Sequence, residues 1–125
     1  MKHILLIDDD SDMLSITCHW LEKAGYRVTT SLSGQDALLL LSKDRPDLIL
    51  LDYAMPGMDG PAVLKAIRCN DNTKDIPVIY RTGIDDLDEL NNNSPYKADG
   101  ALPKAEGKPA LINAVEKAMK EGDLL

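Results

Sequence analysis

Positive charge is scarce in this chain. Lys and Arg total 14 against 21 Asp and Glu, a formal charge of −7 over 125 residues. Nucleic acids and anionic membranes are gripped by basic surfaces, so this balance argues against either as a direct partner of the domain. Cysteine is nearly absent. Cys18 and Cys69 are too few and too far apart for a disulfide framework or a zinc site, and they read as reduced thiols of a cytoplasmic protein. The N-terminal apolar stretch, Ile4 to Ile7, is four residues long and stops at three aspartates, which suits neither a secretion signal nor a membrane span. No repeat, low-complexity tract or linker divides the sequence, so one domain over residues 1–125 is expected.

What is present is a regular alternation of short apolar runs and longer helical patterns. Apolar types make up 44% of the chain, enough for a packed core. Ile4–Ile7 and Leu48–Leu51 are unbroken aliphatic runs, as expected of strands buried on both faces. Arg27–Leu32 and Pro77–Thr82 are rich in β-branched residues, and Gly100–Leu102 is a weaker fifth strand. Ser11 or Asp12 is expected to cap a helix running to about Ala24, with Leu14, Thr17, Cys18 and Leu21 on one face and Gly25 as its stop. Ser33 caps a helix over Gln35–Lys43. Asp59-Gly60-Pro61 opens another that ends by Asn70, with Val63, Leu64 and Ile67 inward. A last helix begins at Lys108-Pro109, turns Leu111, Ile112, Val115 and Met119 inward and ends at Gly122. Between Asp85 and Ala98 only one or two turns, at Asp86–Leu90, are expected, because Asn91-Asn92-Asn93-Ser94-Pro95 favours loop.

Alternation of this kind implies an α/β fold, a parallel sheet with helices on both faces, and a flavodoxin-like doubly wound (βα)5 order of 2-1-3-4-5. Ligands of such sheets sit outside the carboxyl ends of the strands, where the winding reverses. The first strand ends in Asp8-Asp9-Asp10 and the third in Asp52, so three or four carboxylates meet in one crevice. Like charges at that density are costly unless a cation holds them, and hard oxygen donors suit Mg²⁺. The fourth strand brings a hydroxyl, Thr82, to the same edge, and the fifth an ammonium, Lys104. Each residue alone reads as a cap, a loop acid, a strand threonine or a surface charge; their joint arrival at four strand ends does not.

From about His3 to Glu121 the chain resembles the receiver domain of two-component response regulators. The matching stretches are Ile-Asp-Asp at 7–9, Leu-Asp-Tyr-Ala-Met-Pro-Gly-Met-Asp-Gly at 51–60, Pro-Val-Ile-Tyr-Arg-Thr-Gly at 77–83, and Lys104. The resemblance implies that Asp52 is a phosphoacceptor. It implies that Asp9, Asp52 and the backbone carbonyl of Ala54 bind Mg²⁺ directly, with Mn²⁺ as a substitute, and that Asp8 acts largely through water. Lys104 would pair with the phosphoryl group and Thr82 would hydrogen-bond to it after transfer. The implied donor is a sensor histidine kinase or a phosphotransfer protein. The implied output is a downstream domain or protein, with a phosphorylation-dependent dimer compatible with the family. Such a chain is a signalling domain that catalyses only its own phosphorylation and dephosphorylation, either a single-domain regulator or the N-terminal receiver of a longer protein.

Three departures from the family pattern are visible. The aromatic residue usual three positions before the lysine is Ala101, and the usual following proline is replaced by Ala105, with Pro103 preceding instead. Arg81 occupies a strand position that is normally aliphatic, beside Tyr80. Without an aromatic at Ala101, the switch is expected to work through Thr82 and the segment Gly83–Ala98, with Tyr80 either a substitute aromatic or simply core. The positions two after Asp52 and two after Thr82, which flank the path of hydrolytic water, are Ala54 and Ile84, so a long-lived phosphorylated form is expected. Two other readings compete. A Mg²⁺-dependent phosphatase of the haloacid-dehalogenase type needs a second Asp where Ala54 stands. A phosphate-independent module of receiver fold commonly loses an acidic ligand or the lysine, and this chain keeps both.

Overall fold

The two aliphatic runs become adjacent central strands in the computed structural model, which describes residues 1–83 and 93–123. The strands are β1 (His3–Ile7), β2 (Arg27–Ser31), β3 (Leu48–Leu51), β4 (Val78–Thr82) and β5 (Gly100–Pro103). All neighbours pair in parallel, in the order β2-β1-β3-β4-β5. This is the expected doubly wound order. Among the described residues the helices are α1 (Ser11–Lys23), α2 (Gly34–Leu41), α3 (Gly60–Arg68) and α4 (Lys108–Asp123). The turns expected at Asp86–Leu90, and Ile84, lie outside the described residues.

Strand alternation divides the core in two. Leu5, Ile7, Ile49, Leu51, Val78 and Tyr80 pack with Ala37 and Leu41 of α2 and with Val63, Leu64 and Ile67 of α3. Ile4, Leu6, Leu48, Leu50 and Ile79 pack on the opposite face with Leu14 and Leu21 of α1 and Leu111, Val115 and Met119 of α4. Every residue of β1 and β3 is buried, which explains why Ile4–Ile7 and Leu48–Leu51 are unbroken aliphatic runs rather than alternating. Burial of each such side chain stabilises the fold by about 1.5–3 kcal/mol. No helix among the described residues is long and apolar enough to cross a membrane.

Several boundaries differ from the sequence expectation. The cap of α1 is Asp10 rather than Ser11 or Asp12: its extended backbone lets the carboxylate accept from the N–H groups of Asp12 and Met13. Helix α2 stops at Leu41, two residues short of Lys43, and β2 stops at Ser31, whose hydroxyl donates to the Ser33 carbonyl instead of the chain continuing through Leu32. Strand β4 starts one residue after Pro77, which has no N–H to give the ladder. Strand β5 reaches Pro103, and α4 continues past Gly122 to Asp123. Helix α1 ends as expected at Gly25, which takes a left-handed φ of 98°.

At the opposite end of the sheet from the strand carboxyl termini, Arg68 joins four separate groups. It donates to the carbonyls of Lys74, Ile76 and Lys97 and forms an ion pair with Asp99 at 2.9 Å. Asp99 in turn accepts from the N–H of Val78. The starts of β4 and β5 are thereby tied to the end of α3, which fixes how far each strand projects at its other end. His3 places Nε2 2.8 Å from the Thr29 hydroxyl of β2.

Candidate functional site

β1, β3, β4 and β5 each end beside Asp8, Asp52, Thr82 or Lys104, and backbone bonds hold those ends level. The Asp52 N–H donates to the Ile7 carbonyl at 2.9 Å, and the Lys104 N–H donates to the Thr82 carbonyl at 2.8 Å. One carboxylate oxygen from each of Asp8, Asp9 and Asp52 lies within 4.8 Å of the others. Asp8 and Asp52 are buried and Asp9 faces solvent. Three or four carboxylates were expected in the crevice; three are brought together, and Asp10 serves instead as the α1 cap. Lys104 Nζ reaches across from β5 to within 3.0 Å of Asp8 and 3.2 Å of Asp52.

Burial first, and the charge of Asp8 second, push the Asp52 carboxyl up to about 7, against a smaller pull downward from Lys104. Burial alone would lower the pKa of Lys104. The hydrogen bond to Asp8 and the charges of Asp52 and Asp8 outweigh it and hold the ammonium above its ordinary value. A hidden carboxylate pressed by a second carboxylate is an unfavourable arrangement for which a cation is the general remedy. Three hard oxygen donors with one side open to water fit a small divalent ion and not a soft metal.

The loop after β3 is shaped by glycine. A Cβ on Gly60 would stand 2.6 Å from the Asp52 carbonyl oxygen and 2.7 Å from Tyr53 Cα, so α3 can start this close to the Asp52 strand end only without a side chain there. The Gly60 N–H donates to the Tyr53 carbonyl at 2.8 Å, and Asp59 caps the helix through the N–H of Ala62. Ala54 lies exposed in this loop, and Gly57 turns it with a φ of 73°.

Thr82 is buried at the last position of β4. Tyr80 is buried too, its ring edge-on to Tyr53 with centroids 5.2 Å apart, and it pairs across the ladder with Ala101. The small side chain of Ala101 thus sits beside a large ring on the neighbouring strand. Arg81 is only 3% exposed, and its guanidinium donates to the Thr17 hydroxyl of α1. Sequence reading placed Thr17 on the apolar face of α1 and flagged Arg81 as out of place, without joining them. The available signal was that two polar residues stood on two surfaces both destined for the same core.

Known proteins resemble this chain in sequence and in fold. The family described as the response regulator receiver domain matches residues 4–116. The chain is 41% identical over 117 residues to the transcriptional regulatory protein PrrA of Mycobacterium tuberculosis, covering 94% of this chain and 49% of that protein. It is 35% identical over 120 residues to the sporulation initiation phosphotransferase F of Bacillus subtilis, covering 96% of this chain and 92% of that one. The chain spans about half the length of the curated relatives it matches first, such as the PrrA proteins. Its fold superposes on the Vibrio cholerae chemotaxis response regulator CheY4 with a TM-score of 0.88 at 29% identity, covering 94% of this chain and 98% of that one. Motif, topology and relatives agree: the chain belongs to the receiver domain family of two-component response regulators.

Proposed function

We propose that this receiver domain is an active phosphoacceptor, with Asp52 as the nucleophile. The observation that carries the reading is the placement of a buried Asp52 carboxylate 3.2 Å from Lys104, within the Asp8–Asp9–Asp52 oxygen cluster. A carboxylate oxygen of Asp52 attacks the phosphorus of a phosphohistidine on a sensor kinase or phosphotransfer protein. The bond from phosphorus to imidazole nitrogen breaks, its electron pair stays on the nitrogen, and an acyl phosphate forms on Asp52. Lys104, already paired with both buried acids, can turn its ammonium to the arriving phosphoryl oxygens with little movement. Asp8, Asp9, Asp52 and the Ala54 carbonyl would hold Mg²⁺, which when bound supplies positive charge against the phosphoryl oxygens.

After transfer, the new charge and acceptors sit at the end of β4, where the Thr82 hydroxyl can donate to them. Ala101 has no side chain able to swing. Readout through the chain following Thr82 is therefore the proposed route, with Tyr80 held in the core by Tyr53. An output domain or protein would receive the signal, and the domain would act on no external substrate.

Labelling by acetyl phosphate or beryllofluoride tests the reading directly. Wild type should be labelled only with Mg²⁺ or Mn²⁺ present, and Asp52→Asn should lose the label. Labelling of Asp52→Asn at the wild-type level, or no labelling of wild type, would overturn it. Turnover of a generic phosphate ester would favour the phosphatase reading instead.

A further inference from the structure

We propose that Arg81 is a built-in counter-charge for the carboxylate cluster, a positioning residue that holds the metal-free site together and sets its affinity for the divalent ion. The inference rests on the phosphoacceptor reading and extends it to a residue that the activity does not explain. Arg81 is 3% exposed, and its neighbours on that face of the sheet are Ile79, Leu50 and Leu102. A guanidinium there is costly unless charge of the opposite sign lies near. Yet among the described residues no carboxylate is bonded to it: its bond is to the neutral Thr17 hydroxyl, and its Nε is buried with no partner there.

The sheet register supplies the missing charge. Ile7 pairs with Leu51 and Leu51 with Tyr80, so Asp8, Asp52 and Arg81 each stand one residue further on three adjoining strands. Alternation sends them to the same face, since Ile4, Leu6, Leu48, Leu50 and Ile79 all belong to the core beneath α1 and α4. Burial works against the charge of Arg81, and Asp8 supports it. Asp8 stands two strand spacings from Arg81, about 10 Å, too far for an ion pair and near enough for a field inside a core. Asp52 stands one spacing away, while the guanidinium itself bonds the Thr17 hydroxyl of α1. Lys104 is the contact cation of the cluster, and Arg81 is the cation behind it.

A fixed positive charge at that distance must repel a divalent ion entering the same carboxylates. With an effective dielectric constant of about 40 to 80, removing it should tighten Mg²⁺ binding by about 4- to 15-fold. Mere loosening of the core would do the opposite, because a less ordered site binds more weakly. The measurement is Mg²⁺ titration by calorimetry at fixed pH and ionic strength on the whole chain. Arg81→Met should bind Mg²⁺ more tightly by that factor. Arg81→Lys, which keeps the charge, and Thr17→Val, which removes only the hydrogen bond, should stay within about twofold of wild type. Should Arg81→Met fail to fold, Arg81→Gln carries the same test, since it keeps a donor toward Thr17 without the charge. Equal or weaker Mg²⁺ affinity in the neutral variants would overturn the role of Arg81 and leave the phosphoacceptor reading standing. A wild type that binds no Mg²⁺ would overturn that reading, and this proposal with it.

Discussion

Replacing Asp52 by Asn should make the metal-free protein more stable, and chiefly at alkaline pH. The Asp52 carboxyl is 4% exposed and its pKa is pushed up to about 7, by burial first and by Asp8 second. In an unfolded chain an aspartate titrates near about 4. Between those two values the folded state keeps a proton that the unfolded state has released. Stability therefore falls as pH rises through that window, and the loss is complete above the folded value. A difference of about three pH units amounts to about 4 kcal/mol. Asn carries no charge and escapes this penalty, but it weakens the bond that Lys104 makes to Asp52 at 3.2 Å, an offset of about 1–2 kcal/mol. A net gain of about 2–3 kcal/mol is expected near pH 8, and the two proteins should lie within about 1 kcal/mol near pH 5. Urea denaturation in chelator at both pH values measures this, with fluorescence of the single tryptophan, Trp20, as the probe. Saturating Mg²⁺ should narrow or reverse the gap, because a ligand held by the folded wild type stabilises it by mass action. Equal stabilities near pH 8, or a less stable variant there, would refute the argument that Asp52 is held as a strained carboxylate.

Three further expectations are independent of that one. Gly60→Ala should cost about 2 kcal/mol, because the new Cβ meets backbone of Asp52 and Tyr53 that has no rotamer to yield; it should also slow acetyl phosphate labelling, and a variant with unchanged stability would show that the loop relaxes freely. Cys18, its thiol pushed up to about 11 by burial and then by Glu22, should react with iodoacetamide about 10-fold more slowly than an ordinary thiol, leaving exposed Cys69 as the site modified first. Comparable alkylation of both cysteines by peptide mapping would contradict the environment assigned to Cys18. Ala54→Asn and Ile84→Glu, which add polar groups able to orient water, should each speed the decay of phospho-Asp52 by about tenfold, and decay unchanged in both would place the control of water elsewhere.

The sequence by itself determined the kind and order of the elements and which strand ends carry chemistry. Local signals suffice for that. Unbroken aliphatic runs at Ile4–Ile7 and Leu48–Leu51 specify doubly buried strands, and parallel pairing then brings their C-terminal aspartates side by side. The boundaries were less legible, since a cap is decided by a few degrees of backbone and Asp10, Ser11 and Asp12 are all competent caps. The resemblance had set Asp8 and Asp9 at the site, and only the tertiary structure gave the neighbouring Asp10 its task as the cap of α1. It also joined Lys104 to Asp8, 96 residues away, and Arg81 to Thr17, 64 residues away. Arg68 acquired its four partners in the same way. Pairings at that separation depend on how far each strand projects and which face each side chain takes. Those quantities are set by packing across the whole sheet and not by the residues on either side.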